Sequence, residues 1–221
     1  MLETVEQQTR PRPAWTVLWL HGLGADGHDF SPIVPELVRD DWPGLRFVFP
    51  HAPVRPVTIN GGTPMRAWYD IQSLSMEQRA DEQGLRGSMA EVDALVARER
   101  DRGVPPSRLL LVGFSQGGAV ALASGLRREA GLAGIACLSG YLPMAERTPA
   151  ELTEAGRKTP VFLGHGRQDQ VVGLGLGTRT RAALEGWQVP VTWHDYPMAH
   201  SVCAQEIADL GDWMALRFAG P

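Results

Sequence analysis

Short apolar runs alternate along the chain with segments in which apolar residues recur at the spacing of a helix. The runs are rich in β-branched, leucine and aromatic residues and predict buried strands at 15–20, 45–49, 109–112, 132–138, 161–164 and 189–196. Helices are predicted at 30–38, 88–102, 177–187 and 201–218, and directly after Ser115. Because strands and helices alternate throughout, the pattern predicts an α/β fold with a mostly parallel sheet.

Three segments lack this patterning and are predicted to be irregular. Residues 1–13 are polar and contain Pro11 and Pro13, so we expect a loose N-terminal leader. Residues 50–68 are rich in proline and glycine and are expected to form a loop, while residues 144–159 are polar and irregular. No run approaches the roughly 20 apolar residues needed to span a bilayer, so we expect no integral membrane association.

The predicted strand at 109–112 leads into Gly113-Phe114-Ser115-Gln116-Gly117, and a segment of helical composition follows. A strand, a sharp turn with serine at its apex and a helix form a nucleophile elbow. The turn brings the chain on either side of the serine close together, so a side chain two residues before or after it would clash. Glycine stands at both positions, and the helix start directs backbone N–H groups towards developing negative charge. Ser115 is therefore the candidate nucleophile.

A serine nucleophile needs a base, and the base needs a carboxylate that orients it. In α/β folds with a nucleophile elbow, the catalytic residues occur along the chain in the order serine, acid and then histidine. His200 follows the last predicted strand and should lie at the carboxyl edge of the sheet, whereas its rival His194 lies inside that strand. Asp169 reaches the same edge after the strand at 161–164, whereas its rival Asp195 is very close to His200 along the chain. The histidines that precede a glycine at a strand end are expected to bond backbone carbonyls: His21 and His165.

Composition narrows the class of protein further. The 221 residues are 43% hydrophobic and 21% charged, which fits one globular domain over residues 1–221. The net charge of −4 contains no long run of either sign, which argues against nucleic acid as a partner. Cys137 and Cys203 show neither metal-ligand spacing nor a disulfide framework. The first residues show no secretory signal, so we expect a cytoplasmic location.

Six short motifs follow one another along the chain. They are Leu20-His21-Gly22-Leu23-Gly24, Trp68-Tyr69-Asp70-Ile71, Gly113-Phe114-Ser115-Gln116-Gly117-Gly118, Ser139-Gly140-Tyr141-Leu142, His165-Gly166 with Asp169-Gln170-Val171-Val172, and His200-Ser201-Val202. Each motif is weak alone, but in this order the chain resembles the carboxylesterase/acyl-protein thioesterase family of α/β-hydrolases from residue 15 to residue 218. The resemblance implies the α/β-hydrolase fold, with helices on both faces of the sheet and no cap domain.

The resemblance also implies roles for individual residues. Ser115, His200 and Asp169 would form a catalytic triad, and the backbone N–H groups of Leu23 and Gln116 would form an oxyanion hole. Such a donor typically stabilises the oxyanion by about 3–4 kcal/mol. The mechanism needs neither a metal ion nor an organic cofactor. Members of the family often pair as homodimers, which the composition of this chain does not settle.

Two further expectations concern the substrate groove. The resemblance suggests that the loop carrying Met65 and Trp68 borders an acyl groove, which makes these two residues candidates for substrate binding. Family members usually have proline after the Asp-x-Val-Val segment, whereas this chain continues Gly173-Leu174-Gly175-Leu176-Gly177. We expect this glycine-rich run to be more flexible.

The predicted function is a serine carboxylesterase that cleaves small-molecule esters of small to medium acyl chains. The chain between Ser139 and Val161 is too short for a helical cap, and residues 50–86 could supply only a low rim. An acyl-protein thioesterase or a lysophospholipase acting on longer chains is the alternative. A non-catalytic binding domain would show a damaged triad, and a peptidase of this fold would need a lid or propeller; the sequence shows neither.

Overall fold

The computed structural model describes residues 1–73 and 81–219, and this part of the chain contains nine strands and seven α-helices. The strands are β1 (Thr4–Gln8), β2 (Trp15–Leu20), β3 (Leu45–Pro50), β4 (Val54–Val57), β5 (Thr63–Arg66), β6 (Leu109–Phe114), β7 (Gly134–Leu138), β8 (Val161–Gly166) and β9 (Val191–Tyr196). The helices are α1 (Val34–Leu37), α2 (Glu82–Asp101), α3 (Gln116–Gly125), α4 (Thr148–Glu151), α5 (Glu154–Lys158), α6 (Leu174–Gly186) and α7 (Ala204–Phe218).

Seven strands form one sheet in the order β1-β3-β2-β6-β7-β8-β9. Strand β1 pairs antiparallel with β3, and every other pair in this sheet is parallel. The predicted α/β fold with a mostly parallel sheet is therefore confirmed. Because the parallel strands run the same way, their carboxyl ends meet at one edge, which is where open α/β sheets bind ligands.

Alternate residues of each central strand belong to two separate hydrophobic cores. Leu109 and Leu111 pack on one face of the sheet with α2, α3 and α6. Leu110 and Val112 pack on the other face with α1 and α7. A strand buried on both faces reads as a continuous apolar run, which is why β6 could be predicted from the sequence. Among the described helices, none combines the length and the apolar character that crossing a membrane requires.

The N-terminal segment is not the loose leader that its polar composition predicts. Residues Thr4–Gln8 form the edge strand β1, paired with β3 from Thr4 opposite Pro50 to Gln8 opposite Arg46. Glu6 accepts hydrogen bonds at 3.0 Å from Arg98 and at 2.9 Å from Arg102, both on α2. Hydrogen bonding to Arg102 lowers the pKa of Glu6 although burial opposes the shift. Apart from Val5, which packs against one hydrophobic core, the strand is polar and is held by these ion pairs and by its pairing with β3, so its sequence lacks the strand pattern.

The predicted loop at 50–68 contains the hairpin β4–β5. The two strands are antiparallel, with Val54 opposite Arg66 and Val57 opposite Thr63. Proline cannot donate a ladder hydrogen bond, and its presence in both strands explains why the pattern suggested a loop. The hairpin is one part of the predicted rim at 50–86, and residues 74–80 of that rim lie outside the described residues.

Helix α2 begins six residues earlier than the predicted start at Ser88. Asp81 caps it, because the Asp81 side chain accepts the Gly84 N–H at 2.9 Å. A methyl group on Gly84 would overlap the Asp81 carboxylate, so the glycine that resembles a helix breaker is required by the cap.

Two other segments are more regular than predicted. The polar stretch 144–159 contains the short helices α4 and α5. Helix α6 begins at Leu174 rather than Gly177, so most of the glycine-rich run is helical. Gly177 packs against the ring of His165, where a Cβ would lie 2.6 Å from Nδ1, which explains why a small residue stands there.

Candidate active site

The three candidate triad residues follow three parallel strands. Ser115 comes directly after β6, Asp169 lies shortly beyond β8, and His200 lies shortly beyond β9. Since these strands are parallel members of one sheet, their carboxyl ends place the three residues at the same edge. The structure therefore brings together side chains that lie as many as 85 positions apart in the sequence.

Ser115 occupies a strained turn between β6 and α3. Its φ of 54° and ψ of −118° lie in a region that side-chain-bearing residues rarely adopt. The Ser115 N–H donates to the Leu138 carbonyl at 2.8 Å, which ties the turn to β7. A methyl group on Gly113 would overlap the backbone of Gly117, and one on Gly117 would overlap the Leu20 carbonyl. The predicted steric reason for both glycines is confirmed.

A continuous chain of hydrogen bonds links the three side chains. His200 Nε2 lies 2.9 Å from Ser115 Oγ, and His200 Nδ1 lies 2.7 Å from Asp169 Oδ2. Asp169 Oδ1 accepts the N–H groups of Val171 and Val172, each at 2.8 Å. Because a carboxylate only accepts, a neutral His200 donates through Nδ1 and accepts the Ser115 hydroxyl through Nε2. This is the arrangement a general base needs.

The two rival residues lie elsewhere. His194 stacks on Phe162, and its Nδ1 lies 3.6 Å from Asp209 Oδ2. Asp195 forms an ion pair with Arg167 at 2.9 Å. Neither residue lines the cavity that contains Ser115. The geometry therefore favours His200 and Asp169.

His21 and His165 bond backbone carbonyls, as their positions at strand ends predicted. His21 accepts the Ala52 N–H at Nε2, so its proton lies on Nδ1 and is donated to the Gly22 carbonyl at 2.6 Å. His165 Nε2 lies 2.7 Å from the Val172 carbonyl and donates to it. Burial lowers the pKa of both imidazoles, so both are held neutral. Each histidine fixes a loop at the catalytic edge.

The candidate oxyanion-hole residues flank Ser115. Leu23 lies in the loop after β2, Gln116 is the first residue of α3, and both line the same cavity as Ser115. The neighbouring Gly24 N–H donates to Arg66 O at 2.8 Å, which anchors the loop. No acceptor among the described residues takes the N–H of Leu23 or of Gln116. Both donors are available to a ligand at this edge.

The site opens into a cavity of about 350 Å³. Its walls are mostly apolar and aromatic, which suits the hydrocarbon part of a ligand. Val171 stands at the open side and is 58% exposed. The lining residues come from the oxyanion loop, the β4–β5 hairpin, the segment after Trp68 and the triad loops: Gly22, Leu23, Ala25, Asp29, Ile59, Asn60, Tyr69, Ile71, Phe114, Ser115, Gln116, Tyr141, Val171, Val172 and His200.

Trp68 and Met65 are not among these lining residues, which corrects the expectation that they form a groove wall. Trp68 is completely buried, its Nε1–H donates to the His21 carbonyl at 2.9 Å, and its backbone N–H donates to Gln116 Oε1 at 2.8 Å. Met65 is half-buried, and its sulfur accepts a hydrogen bond from Asn60 Nδ2 at 3.3 Å. Trp68 therefore supports the site from the core, and Met65 reaches the cavity only through Asn60.

The sequence prediction missed a pair of tyrosines in the cavity wall. The hydroxyl groups of Tyr69 and Tyr141 lie 2.8 Å apart, and both side chains are buried. Gln116 Nε2 donates to the Tyr69 carbonyl at 2.7 Å, which holds this wall against α3. A signal was present, since Tyr69 follows Trp68 directly and Tyr141 follows β7 at the catalytic edge.

Comparison with known proteins agrees with this geometry. The family model described as Phospholipase/Carboxylesterase matches residues 2–217. Acyl-protein thioesterase 1 of Neurospora crassa is 39% identical over 212 residues, covering 91% of this chain and 86% of the relative. Acyl-protein thioesterase 1 of Cryptococcus neoformans var. neoformans serotype D (strain JEC21) is 36% identical over 216 residues, covering 90% of each chain.

A solved structure of similar sequence has a similar fold. Arabidopsis thaliana SOBER1 superposes with a TM-score of 0.86 at 31% identity, covering 92% of this chain and 98% of SOBER1. Family match, sequence relatives and three-dimensional likeness each extend over nearly the whole chain. The chain therefore belongs to the phospholipase/carboxylesterase family of α/β-hydrolases and is a hydrolase of ester or thioester bonds.

Proposed function

We propose that this protein hydrolyses carboxylic esters of small to medium acyl chains through an acyl-enzyme on Ser115. The observation that carries the proposal is the unbroken hydrogen-bond chain from Ser115 Oγ through His200 to Asp169 at the wall of an apolar cavity. One continuous sheet positions all three residues, so we treat residues 1–221 as one catalytic domain.

Acylation uses the protonation states that the network assigns. His200 Nε2 takes the Ser115 hydroxyl proton while Oγ attacks the substrate carbonyl carbon. His200 then gives this proton to the leaving alcohol as the bond from carbonyl carbon to leaving oxygen breaks. Asp169 holds the imidazole in the required tautomer and stabilises the imidazolium. In deacylation a water molecule replaces the alcohol, and the acid and Ser115 are released.

The backbone N–H groups of Leu23 and Gln116 are the proposed oxyanion donors. The tetrahedral intermediate carries negative charge on the former carbonyl oxygen. Donors that are already oriented stabilise this charge without reorganisation, by about 3–4 kcal/mol for one donor. The strained Ser115 backbone and the anchored Gly24 N–H keep the two donors in place before substrate binds.

The cavity supports the choice of acyl length. Each methylene that enters an apolar cavity contributes up to about 0.8 kcal/mol. The gain ends where the chain leaves the volume of about 350 Å³ and meets solvent beside the exposed Val171. The catalytic efficiency should therefore rise from acetate into the medium chain lengths and then level off or fall.

The alternative is an acyl-protein thioesterase or a lysophospholipase that acts on longer acyl chains. The thioesterase reading is supported by the names of the curated relatives. The same triad attacks an ester and a thioester carbonyl, so the catalytic groups do not distinguish the two activities. Only the measured preference for one class of substrate distinguishes them.

The test measures kcat/KM for p-nitrophenyl esters from acetate to palmitate, with S-acyl thioesters of matched chain length alongside. The proposal predicts that kcat/KM is highest for esters of medium chain length, and that an ester is cleaved at least as fast as the thioester of the same acyl chain. A maximum at palmitoyl thioesters would favour the alternative. Ser115→Ala is the control: it should abolish turnover and covalent labelling by a fluorophosphonate while circular dichroism stays unchanged. Substantial activity in Ser115→Ala would refute the acyl-enzyme.

A further inference from the structure

One carboxylate faces the cavity without belonging to the triad. Asp29 lies in the segment between β2 and α1 and lines the cavity beside Leu23 and Ala25 of the oxyanion loop. The side chain is exposed to solvent within this wall. Partial burial, and then the nearby charge of Asp26, raise the pKa of Asp29.

The charge of Asp29 is not balanced locally. Lysine and arginine are absent from the described residues that line the cavity. Among the ion pairs of the described chain, none includes Asp29 or Asp26. Asp26 turns its Oδ1 to the backbone N–H of His28 at 2.7 Å and does not line the cavity. Asp29 is thus the fixed negative charge that a bound substrate meets on this wall.

Asp29 lines the same cavity as His200, and ring contacts connect the residue that follows it with the His200 side of the site. Phe30, the next residue, packs on Phe114 with ring centroids 5.5 Å apart. Phe114 in turn packs on the His200 ring, with centroids 4.9 Å apart. Since His200 must protonate the leaving atom, the leaving group lies next to this column of rings.

We propose that Asp29 determines the charge selectivity of the active site, favouring esters and thioesters whose leaving group is cationic and disfavouring anionic leaving groups. The inference rests on the proposed hydrolysis at Ser115 and adds a substrate class to it. In an exposed site, the interaction of a substrate charge with the Asp29 carboxylate should correspond to roughly a three- to tenfold change in kcat/KM. An exposed pair is screened by salt, so the preference should shrink as ionic strength rises.

The experiment uses three thiobutyrates that differ in charge. They are butyrylthiocholine, its neutral carbon isostere S-(3,3-dimethylbutyl) thiobutyrate, and the anionic S-butyryl-3-mercaptopropionate, each followed by thiol release. Wild-type enzyme should prefer the cation over the isostere, and the isostere over the anion. Asp29→Asn should lower the cation-to-isostere ratio about three- to tenfold and raise the anion-to-isostere ratio. In 0.5 M NaCl the wild-type ratios should approach those of Asp29→Asn.

Asp26→Asn is the matched control, because it removes the neighbouring charge that does not line the cavity. It should change the ratios less than Asp29→Asn does. Equal ratios in wild type and Asp29→Asn, or an equal loss on all three substrates, would overturn the charge-selectivity proposal. p-Nitrophenyl butyrate separates this failure from failure of the proposed function. If wild type cleaves it and reacts with a fluorophosphonate, only the role of Asp29 is refuted; if it does neither, the hydrolase proposal and the inference fail together.

Discussion

Asp169 and Glu206 are two buried carboxyl groups beside β8 whose surroundings differ completely. Asp169 accepts two backbone N–H groups and the His200 imidazole. Both oxygens of Glu206, in the first turn of α7, lack a partner among the described residues. The Glu206 carboxyl lies against the β8 backbone at Gly164, where a side chain would overlap it. Burial, and then the charge of Asp209, raise the pKa of Glu206 to about 8.

The difference shows that burial alone does not decide what a carboxyl group does. A carboxylate surrounded by donors remains an acceptor and can hold an imidazolium. A carboxyl without donors is stabilised in its neutral form, because a buried unpaired charge is very costly. The loop after β8 therefore supplies a group suited to catalysis, whereas α7 supplies a buried acid that the mechanism does not use.

The two carboxyl groups should differ most in their effect on kcat. Asp169→Asn keeps the shape of the side chain but favours the wrong tautomer of His200, so kcat should fall by about 10⁴-fold. Glu206→Gln, measured in parallel at pH 7, should keep kcat within about twofold, because Glu206 contacts none of the triad residues. Retention of more than a tenth of the activity by Asp169→Asn would mean that another group orients His200.

A second histidine, His165, lies beside the Asp169 carboxylate, but it is not the proposed base. Its Nε2 lies 3.7 Å from Asp169 Oδ2 and donates to the Val172 carbonyl, which fixes the loop that holds Asp169. His165→Gln should lower kcat about 10- to 100-fold, since small displacements of a catalytic group cost this much. Fluorophosphonate labelling of Ser115 should slow but persist.

His194→Gln is the matched control for His165→Gln. His194 is half-exposed, lies beside Asp209 and does not line the cavity. Its replacement should leave kcat and labelling within about twofold. If His165→Gln lost activity as completely as Asp169→Asn, His165 would share in the proton transfer and the structural role would be wrong.

The sequence was sufficient to predict that Ser115, His200 and Asp169 come together, because the signals are local and the fold supplies the rest. The elbow around Ser115 shows in the spacing of two glycines, and the ends of parallel strands meet at one edge by geometry. Trp68 was misplaced because an apolar loop residue has the same pattern whether it packs into the core or lines a cavity. Edge strand β1 was missed because its support comes from Arg98 and Arg102, far along the chain.

The buried acid could not be predicted for a related reason. Glu206 stands at the start of α7 next to the apolar stripe Ile207, Leu210 and Met214, where a charged residue normally marks the solvent face. Only the packing of α7 on β8, with Gly164 beneath the carboxyl, encloses it. Burial of a charge is a tertiary property that periodicity along a single helix does not reveal.

Glu206 supplies the prediction with the smallest effect on catalysis, and its readout is stability. Its pKa is raised in the folded state to about 8, whereas an unfolded glutamate titrates near 4.5. Between these values the unfolded chain has lost the proton and the folded chain keeps it. The stability from this group is therefore fully present below about pH 4.5 and is lost as the pH rises towards 8. Glu206→Gln should raise the free energy of unfolding by a few kcal/mol at pH 8 relative to wild type, with little gain at pH 4.5.

Glu99 is the matched control, because it is also completely buried but is paired. It accepts from Thr16 Oγ1 at 2.8 Å and from Arg46 Nη1 at 2.7 Å, and it forms an ion pair with Arg102 at 2.9 Å. Glu99→Gln leaves Arg46 buried without its counter-charge and should destabilise the protein by roughly 3–5 kcal/mol at pH 8. Urea unfolding of wild type and both variants at pH 4.5 and pH 8 measures the difference. Changes of opposite sign in the free energy of unfolding of the two variants at pH 8 would establish that Glu99 is a charged partner and Glu206 a neutral acid. Destabilisation of Glu206→Gln at pH 8 would show instead that Glu206 is ionised and paired.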